Sequence, residues 1–357
     1  MKLTTEVICP KGSAPLGLDV PVCLLGSCFA DEIGRKMSAA GFRVLANPFG
    51  TLYNPASIAN AVSRLDHPVP FGEEDCVPLG AGDGRTGSFW HHTSFARSSA
   101  AEFLESANAA LAEAAATWQE CGTVILSLGT AYVWRALERP GHPVVANCLK
   151  RPAREFAHDL LSTDACAELL HGVIEAHPEK RFLLTVSPIR HLGDGAHANT
   201  VSKSTLHLAV EQVLAGGRSL PDGRPGLPDR AYPRTPAALK SLSNFCHTKV
   251  PGPRRSADAD SDKFAEKPIF APPSAGETPQ IEYFPAYEIL MDELRDYRFY
   301  AEDLVHPSQT AVEIIWERFL DAYGASADLP RIRENEKAAR AAAHVRLQAG
   351  GKKIEKK

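Results

Sequence analysis

Short apolar runs joined to helical patterns dominate the order of elements along this chain. The clearest runs are Val20–Leu25, Phe42–Ala46, Thr123–Leu128 and Arg181–Val186, and Ile281–Phe284 is a weaker fifth beside a Pro-rich stretch. Near-continuous apolar strands that alternate with helices are typical of a parallel sheet covered on both faces. The pattern therefore predicts an α/β fold with three layers, in which helices lie on both sides of one parallel sheet.

The helical patterns lie between and after these strands, and longer polar segments interrupt them. Helices are predicted over Ala30–Ala40, Pro55–Leu65, Ala101–Trp118, Asp164–Ala176 and Gln309–Tyr323. Insertions are predicted at about 66–100, at 131–157 with a hairpin around Pro140, and at 216–279, where part of the segment is too polar and Pro-rich to pack. We expect one domain over residues 1–324 and an exposed, charged extension over residues 325–357.

Composition narrows the function classes. The chain has 357 residues, 44% of them hydrophobic, which is enough for a sizeable core, and its net charge of −4 does not favour nucleic acid or an anionic membrane as a partner. No apolar leader and no run of roughly 20 apolar residues is present. The 8 cysteines are scattered without a Cys-x-x-Cys pair. We expect a cytoplasmic protein without metal or cofactor, of undefined oligomeric state.

The first candidate for chemistry is Cys28. Gly26-Ser27-Cys28 follows the first apolar run and precedes a helical pattern, which is the position of a nucleophile on a strand-to-helix turn. The helix N-terminus and a nearby imidazolium would lower the pKa of the thiol. Ser27 is the rival nucleophile, and a buried structural cysteine is the alternative for Cys28.

The second candidate is the pair Asp303 and His306, just before the last amphipathic helix. Residues three apart on a turn lie on one face, so the carboxylate can accept a hydrogen bond from one ring nitrogen and leave the other free as a base. Pro307 disfavours a helical conformation at His306, and Ser308 is suited to cap the helix that follows.

These motifs together resemble a known family. Gly26-Ser27-Cys28-Phe29-Ala30 resembles the signature of the GSCFA family, which is similar to SGNH/GDSL hydrolases with cysteine in the nucleophile position. The resemblance implies a flavodoxin-like α/β/α sandwich with a Cys28–His306–Asp303 triad. It implies a hydrolase that acts on an acyl ester of a small molecule or glycan through a thioester. An O-acyltransferase and a non-catalytic binding module on the same scaffold are the alternatives.

The resemblance also indicates residues that bind the substrate. Gly50, after the second strand, is expected to supply an oxyanion donor with the N–H of Cys28. The SGNH pattern has an asparagine after the third strand, but here the chain reads Gly129-Thr130, so Asn147 and Thr130 are the candidates. Ser27 belongs to the same candidate group.

Arg190 and His191 follow the fourth strand in a segment that is also similar to GSCFA sequences. Ligands of open α/β sheets bind beyond the carboxyl ends of the strands, so Arg190 is expected to hold an anionic group and His191 to line the pocket. A structural role for both is the alternative. The pair His91-His92 lacks partners at metal-ligand spacing and does not predict a metal site.

Overall fold

The protein is built around one parallel sheet. The computed structural model describes residues 4–216 and 279–351, of which residues 343–351 are described by their backbone alone. The strands of the central sheet are β1 (Val22–Gly26), β2 (Val44–Ala46), β5 (Thr123–Leu128), β9 (Arg181–Val186) and β10 (Gln280–Tyr283). All neighbours in this sheet pair in parallel, which confirms the predicted parallel sheet and the prediction of its five strands to within two residues at each end.

The order of the strands is β2-β1-β5-β9-β10. Counted along the chain, this is the flavodoxin-like order 2-1-3-4-5, which reverses direction between its first and third members. Here that reversal lies between β1 and β5, where Val22 pairs with Thr123 and Gly26 with Ser127. Sheets with this topology bind their ligands beyond the carboxyl ends of the strands at the reversal, so the end of β1 is the expected place for a site.

Helices cover both faces of the sheet, as predicted, and complete a three-layer α/β/α sandwich. They are α1 (Cys28–Ala40), α2 (Pro55–Asp66), α3 (Ala100–Glu120), α4 (Thr163–Glu175), α5 (Ala196–Gly216), α6 (Ala286–Glu288, continued by a π-helical turn over Ile289–Leu294), α7 (Gln309–Tyr323) and α8 (Leu329–Gly351). Short 3₁₀ turns occupy Glu73–Asp75, Thr93–Phe95, Ala153–Glu155, Leu192–Asp194 and Tyr297–Phe299. Among the described residues, no helix combines the length and the apolar character that crossing a bilayer requires.

The two faces divide the core because strand side chains alternate. Leu25 and Leu126 point into the cluster formed with α2, α3, α4 and α5. Leu24, Ile125 and Leu183 point to the opposite cluster, formed with α1, the π-helical turn and α7. Burial of these side chains on both faces explains why the strands read as apolar runs.

The insertions at 66–100 and 131–157 pack on each other beside the sandwich. Strands β3 (Val77–Pro78) and β4 (Thr86–Gly87) form one ribbon. Strand β6 (Tyr132–Ala136) pairs antiparallel with β7 (Val144–Val145), as the predicted hairpin requires, and with β8 (Phe156–Leu160). The two insertions share a small core of their own, which includes residues of both ribbons.

The remaining predictions concern the third insertion and the tail. The 216–279 segment, predicted to be partly mobile, lies outside the described residues except for its end positions. The tail differs from an exposed extension, because the first turns of α8 pack on the body. Ile332 is fully buried, Asn335 donates to the carbonyl of Ala40, and Glu336 accepts from the indole of Trp316 at 2.6 Å. The sequence did not predict this contact, because so few apolar side chains do not form an apolar stripe along the helix.

Candidate active site

The turn between β1 and α1 lies at the carboxyl edge of the sheet, at the reversal of strand order. Gly26 has a φ of 139°, and a Cβ there would lie 2.1 Å from the carbonyl oxygen of Ser127. Glycine is required because β1 and β5 approach so closely. Cys28 is the first residue of α1 and half-buried, and its N–H donates to no other described residue. The thiol and a free amide therefore lie together at a helix N-terminus.

Ser27 is a structural residue of this turn. Its side chain is fully buried, its Oγ caps α1 by accepting from the N–H of Phe29, and it lies 3.0 Å from the Oγ of Ser127. A hydroxyl with these partners does not face a substrate. The candidate substrate contact at Ser27 therefore needs correction, because the serine points into the sheet while the cysteine beside it points outward.

The thiol of Cys28 contacts the hydroxyl of Tyr53, which sequence reasoning missed. Sγ and the phenol oxygen are 3.6 Å apart, and Thr51 donates to the same oxygen at 3.2 Å. Because the Thr51 hydroxyl fills an acceptor site of Tyr53, the phenol proton is left to donate to the sulfur. Burial raises the pKa of Tyr53 to about 12, so the phenol stays neutral and can keep this role.

The expected activation of the thiol is wrong for the unliganded protein. Burial raises the pKa of Cys28 above its ordinary value, and the nearby carboxylate of Asp31 acts in the same direction. The hydrogen bond of Tyr53 and the N–H of Cys28 favour the thiolate but do not reverse the shift. Removal from water outweighs the field of the helix here. A nucleophilic Cys28 must therefore lose its proton to a base during the reaction.

Asn47 joins the end of β2 to the nucleophile turn. Its Oδ1 accepts from the N–H of Gly26 at 2.8 Å, and its Nδ2 donates to Asp31 at 2.7 Å. Its backbone lies in the left-handed region with a φ of 42°, which asparagine tolerates better than most residues. Its own carbonyl accepts from Gly50. This one side chain therefore holds the turn that presents Cys28.

Replacement of Asn47 by alanine should lower the free energy of unfolding by about 1–3 kcal/mol, because the buried N–H of Gly26 loses its acceptor. Urea denaturation measures this loss. Asn47→Asp is the matched variant: it keeps the acceptor but places a second carboxylate against Asp31, so its instability should grow as the pH rises from 4 to 7. Equal stability of wild type and Asn47→Ala would show that the turn does not depend on this side chain.

Asp303 and His306 form the hydrogen-bonded pair that the sequence predicted. Asp303 Oδ2 lies 2.6 Å from His306 Nδ1, while its Oδ1 accepts from the N–H groups of Val305 and His306. These N–H groups and the ring lower the pKa of Asp303 to about 2, so the carboxylate stays ionised. The Nε2 of His306 has no hydrogen-bond partner among the described residues. Ser308 caps α7, as predicted.

His191 borders both turns. Its ring packs edge-on against Tyr53 with centroids 5.2 Å apart. A Cβ on Gly129 would lie 3.1 Å from His191 Nε2 and 3.3 Å from Ser27 Cβ, so the imidazole and the nucleophile turn meet at this glycine. His191 Nε2 is buried and has no protein partner. The structure thus places the predicted pocket residue beside the nucleophile turn with an unused polar atom.

A buried cation lies behind His191. The ammonium of Lys203 on α5 donates to the carbonyls of Gly129 at 2.6 Å and Ser187 at 2.7 Å, which ties the ends of β5 and β9 together. Burial lowers the pKa of Lys203 to about 7. Burial, with the positive charges of Lys203 and His306, lowers the pKa of His191 to about 4. His191 is therefore neutral near pH 7 and lies within electrostatic reach of His306.

Of the three candidate oxyanion donors, Gly50 and Thr130 already use their N–H groups within the protein. The N–H of Gly50 donates to the carbonyl of Asn47 at 2.7 Å, so it is not free for a substrate. The N–H of Thr130 donates to the carbonyl of Tyr53 at 2.8 Å, and its hydroxyl lies 2.9 Å from that of Ser202. Both N–H groups are used in hydrogen bonds within the protein. The predictions that Gly50 and Thr130 act as oxyanion donors therefore need correction.

Asn147 keeps a free donor. Its Oδ1 accepts from the N–H of Leu149 in a tight turn at 2.7 Å, while its Nδ2 donates to no described residue. No hydrogen bond among the described residues joins this amide to Cys28, so its role as an oxyanion donor stays a prediction.

Arg190 lies against the Asp303–His306 turn. Its N–H donates to the carbonyl of Val305 at 3.2 Å, and its guanidinium lies 4.2 Å from the ring centre of Tyr300. Within the described ranges it forms no ion pair, so the charge is available to an anionic group. These contacts fit a structural role equally well, in which Arg190 holds the Asp303–His306 turn in place. The described residues contain no group of three or more His, Cys, Asp or Glu side chains that could hold a metal ion.

The chain was also compared with known proteins. A model described as the GSCFA family matches residues 21–220 and 270–319. These ranges make up well over half of the chain and hold both the turn at Cys28 and the turn at His306. Neither the curated proteins nor the solved structures contain a match.

Proposed function

Because this chain belongs to the GSCFA family, whose membership suggests an SGNH-like hydrolase, we propose that it hydrolyses acyl esters with Cys28 as the nucleophile. One observation carries the proposal. The Asp303–His306 pair, with Nδ1 held at 2.6 Å from the carboxylate, lies close enough to His191 to lower its pKa, and His191 packs on Tyr53, whose hydroxyl contacts the sulfur of Cys28. A held imidazole near a thiol at a helix N-terminus supplies the parts of a nucleophile–base–acid relay.

In the first half of the reaction, His306 Nε2 takes the thiol proton as the sulfur attacks the ester carbonyl carbon. The C=O π electrons move to oxygen and give a tetrahedral oxyanion. Its collapse breaks the C–O bond, and the leaving alkoxide takes the proton from His306, which leaves a thioester on Cys28. This order follows from the raised pKa of the thiol, since deprotonation accompanies attack.

In the second half, His306 takes a proton from water, and the hydroxide attacks the thioester carbonyl. The C–S bond breaks, the sulfur recovers the proton from His306, and a carboxylic acid leaves. The free N–H of Cys28 and the unpartnered Nε2 of neutral His191 are the donors we assign to the oxyanion, with Asn147 as a further candidate. Asp303 holds the ring throughout.

Within the described residues, His306 makes no hydrogen bond to Cys28, and the sulfur of Cys28 contacts the hydroxyl of Tyr53 instead. The relay therefore closes when substrate binds, as long catalytic hydrogen bonds in free enzymes often do. A non-catalytic binding module would differ here, because His306 would not reach the sulfur of Cys28 even with a ligand bound.

The test is a screen of short-chain acyl esters of glycerol, glucose and p-nitrophenol with wild type and Cys28→Ala. Free acid released by wild type alone supports the hydrolase. If acyl groups pass to an added sugar or glycerol faster than acid appears, the protein is an O-acyltransferase with the same thioester. Binding of esters without turnover by either product measure would favour the binding module.

A further inference from the structure

A second pocket lies away from the thiol, between α2 and the first insertion. It has a volume of about 310 Å³, within the range of small-molecule sites. Its lining includes Ser57, Asn60 and Arg64 of α2 and the rings of Phe49, Phe71 and Trp90. The α2 residues are spaced three and four apart, so they lie on one face of the helix and form a polar wall. Neither Cys28 nor His306 is part of it.

One buried hydroxyl of this pocket lacks the partner that buried polar groups normally have. Ser57 is 3% exposed, and its Oγ has no hydrogen-bond partner. Buried hydroxyls are otherwise almost always bonded, so this enclosed oxygen marks the α2 side of the pocket as polar. Asn60, one turn further along α2, adds an amide to the same wall.

Arg64 supplies an unpaired positive charge. Its guanidinium lies 4.5 Å from the ring centre of Phe71 and donates to the carbonyl of Val69 at 2.7 Å, but it meets no carboxylate in the described part of the chain. The adjacent Asp66 is bonded to Trp118 and His177 instead. Burial, and to a smaller extent the charge of Arg64, lowers the pKa of the fully enclosed His91 to about 3.

The carboxylate of Asp75, in the first insertion, also has hydrogen-bond partners of its own. Asp75 accepts from the indole N–H of Trp90 at 3.1 Å and from the N–H of Gly72. The pocket therefore combines an apolar, aromatic body with a cation and a side-chain amide, both supplied by α2. That combination fits a small molecule with one anionic end and one apolar end.

We propose that this pocket binds a monocarboxylic acid with an apolar tail, whose carboxylate bonds to Arg64 and Asn60 and whose tail lies against Phe49, Phe71 and Trp90. Arginine and a side-chain amide can both donate hydrogen bonds to a carboxylate, and those from the arginine are charge-assisted. The site goes beyond the proposed ester hydrolysis and does not depend on it, because none of its groups takes part in that chemistry.

Calorimetric titration of the full chain with octanoate and with 1-octanol tests this. We expect octanoate to bind at least about tenfold more tightly, since only the acid can use the cation. Arg64→Gln should weaken octanoate about tenfold and leave octanol unchanged, and Asn60→Phe should abolish both by filling the pocket. Arg35→Gln, at an exposed arginine of α1, is the matched control and should bind as wild type does.

Cys28→Ala separates this site from the proposed reaction, because it should bind octanoate with unchanged affinity even though turnover is lost. Each variant is compared only if its unfolding midpoint equals that of wild type, and Asn60→Leu replaces Asn60→Phe if the latter is unstable. Equal affinity for octanoate and octanol, equal binding by Arg64→Gln and wild type, or no binding at millimolar octanoate would overturn the proposal.

Discussion

Replacement of Cys28 by alanine should lower ester turnover by about four orders of magnitude or more, because no other group in the site can form the acyl intermediate. The fold should stay intact, since the side chain is half-buried and bonds only to Tyr53. Initial rates of acid release by wild type and variant measure the effect. Cys148→Ala, at another half-buried thiol far along the chain, is the matched control and should keep full activity.

The neighbouring serine sharpens this prediction. Ser27→Ala removes the cap of α1, so it should cost about 1 kcal/mol of stability while it keeps most of the turnover. A serine nucleophile would give the reverse result, with Ser27→Ala inactive and Cys28→Ala active. Full activity in Cys28→Ala would contradict the mechanism outright.

Replacement of His306 by alanine should lower kcat by about 10²–10⁴, since the thiol has a raised pKa and needs a base at the moment of attack. Asp303→Asn should also lose about 10²–10⁴. The amide keeps an acceptor for the backbone N–H groups but can turn its NH₂ to Nδ1, which favours the wrong tautomer. Steady-state rates and thermal midpoints measure both variants together.

His197, exposed in the first turn of α5, offers the control for this pair. His197→Ala should leave kcat unchanged. If His306→Ala kept wild-type kcat while Cys28→Ala was inactive, another base would serve the thiol, and His191 beside Tyr53 would be the first to test.

Local patterns account for what the sequence predicted well. Apolar runs of strand length located β5 and β9, and short spacings predicted the Asp303–His306 hydrogen bond and the Ser308 cap. Each of these features depends on residues within a few positions of one another. The GSCFA resemblance added the fold order, because the signature specifies a known topology rather than a single turn.

The parts that the sequence did not predict depend on contacts between distant segments. Gly50 and Thr130 stand where donors were expected, but their N–H groups are used by Asn47 and Tyr53, and no local pattern reports such use. The pKa of Cys28 was predicted with the wrong sign, since the helix field is visible in sequence and burial is not. The contact of Tyr53 with the thiol likewise joins a loop to a helix 25 positions away.

The measurement that tests the central claim most directly is the location of the acyl group during turnover. Wild type is mixed with p-nitrophenyl butyrate, quenched in acid within milliseconds to seconds, and digested for peptide mass mapping. We predict one butyryl group on the peptide that contains Cys28, released by neutral hydroxylamine as a thioester would be, and absent from Cys28→Ala. A butyryl group that forms and decays at the turnover rate on any other residue would contradict the account.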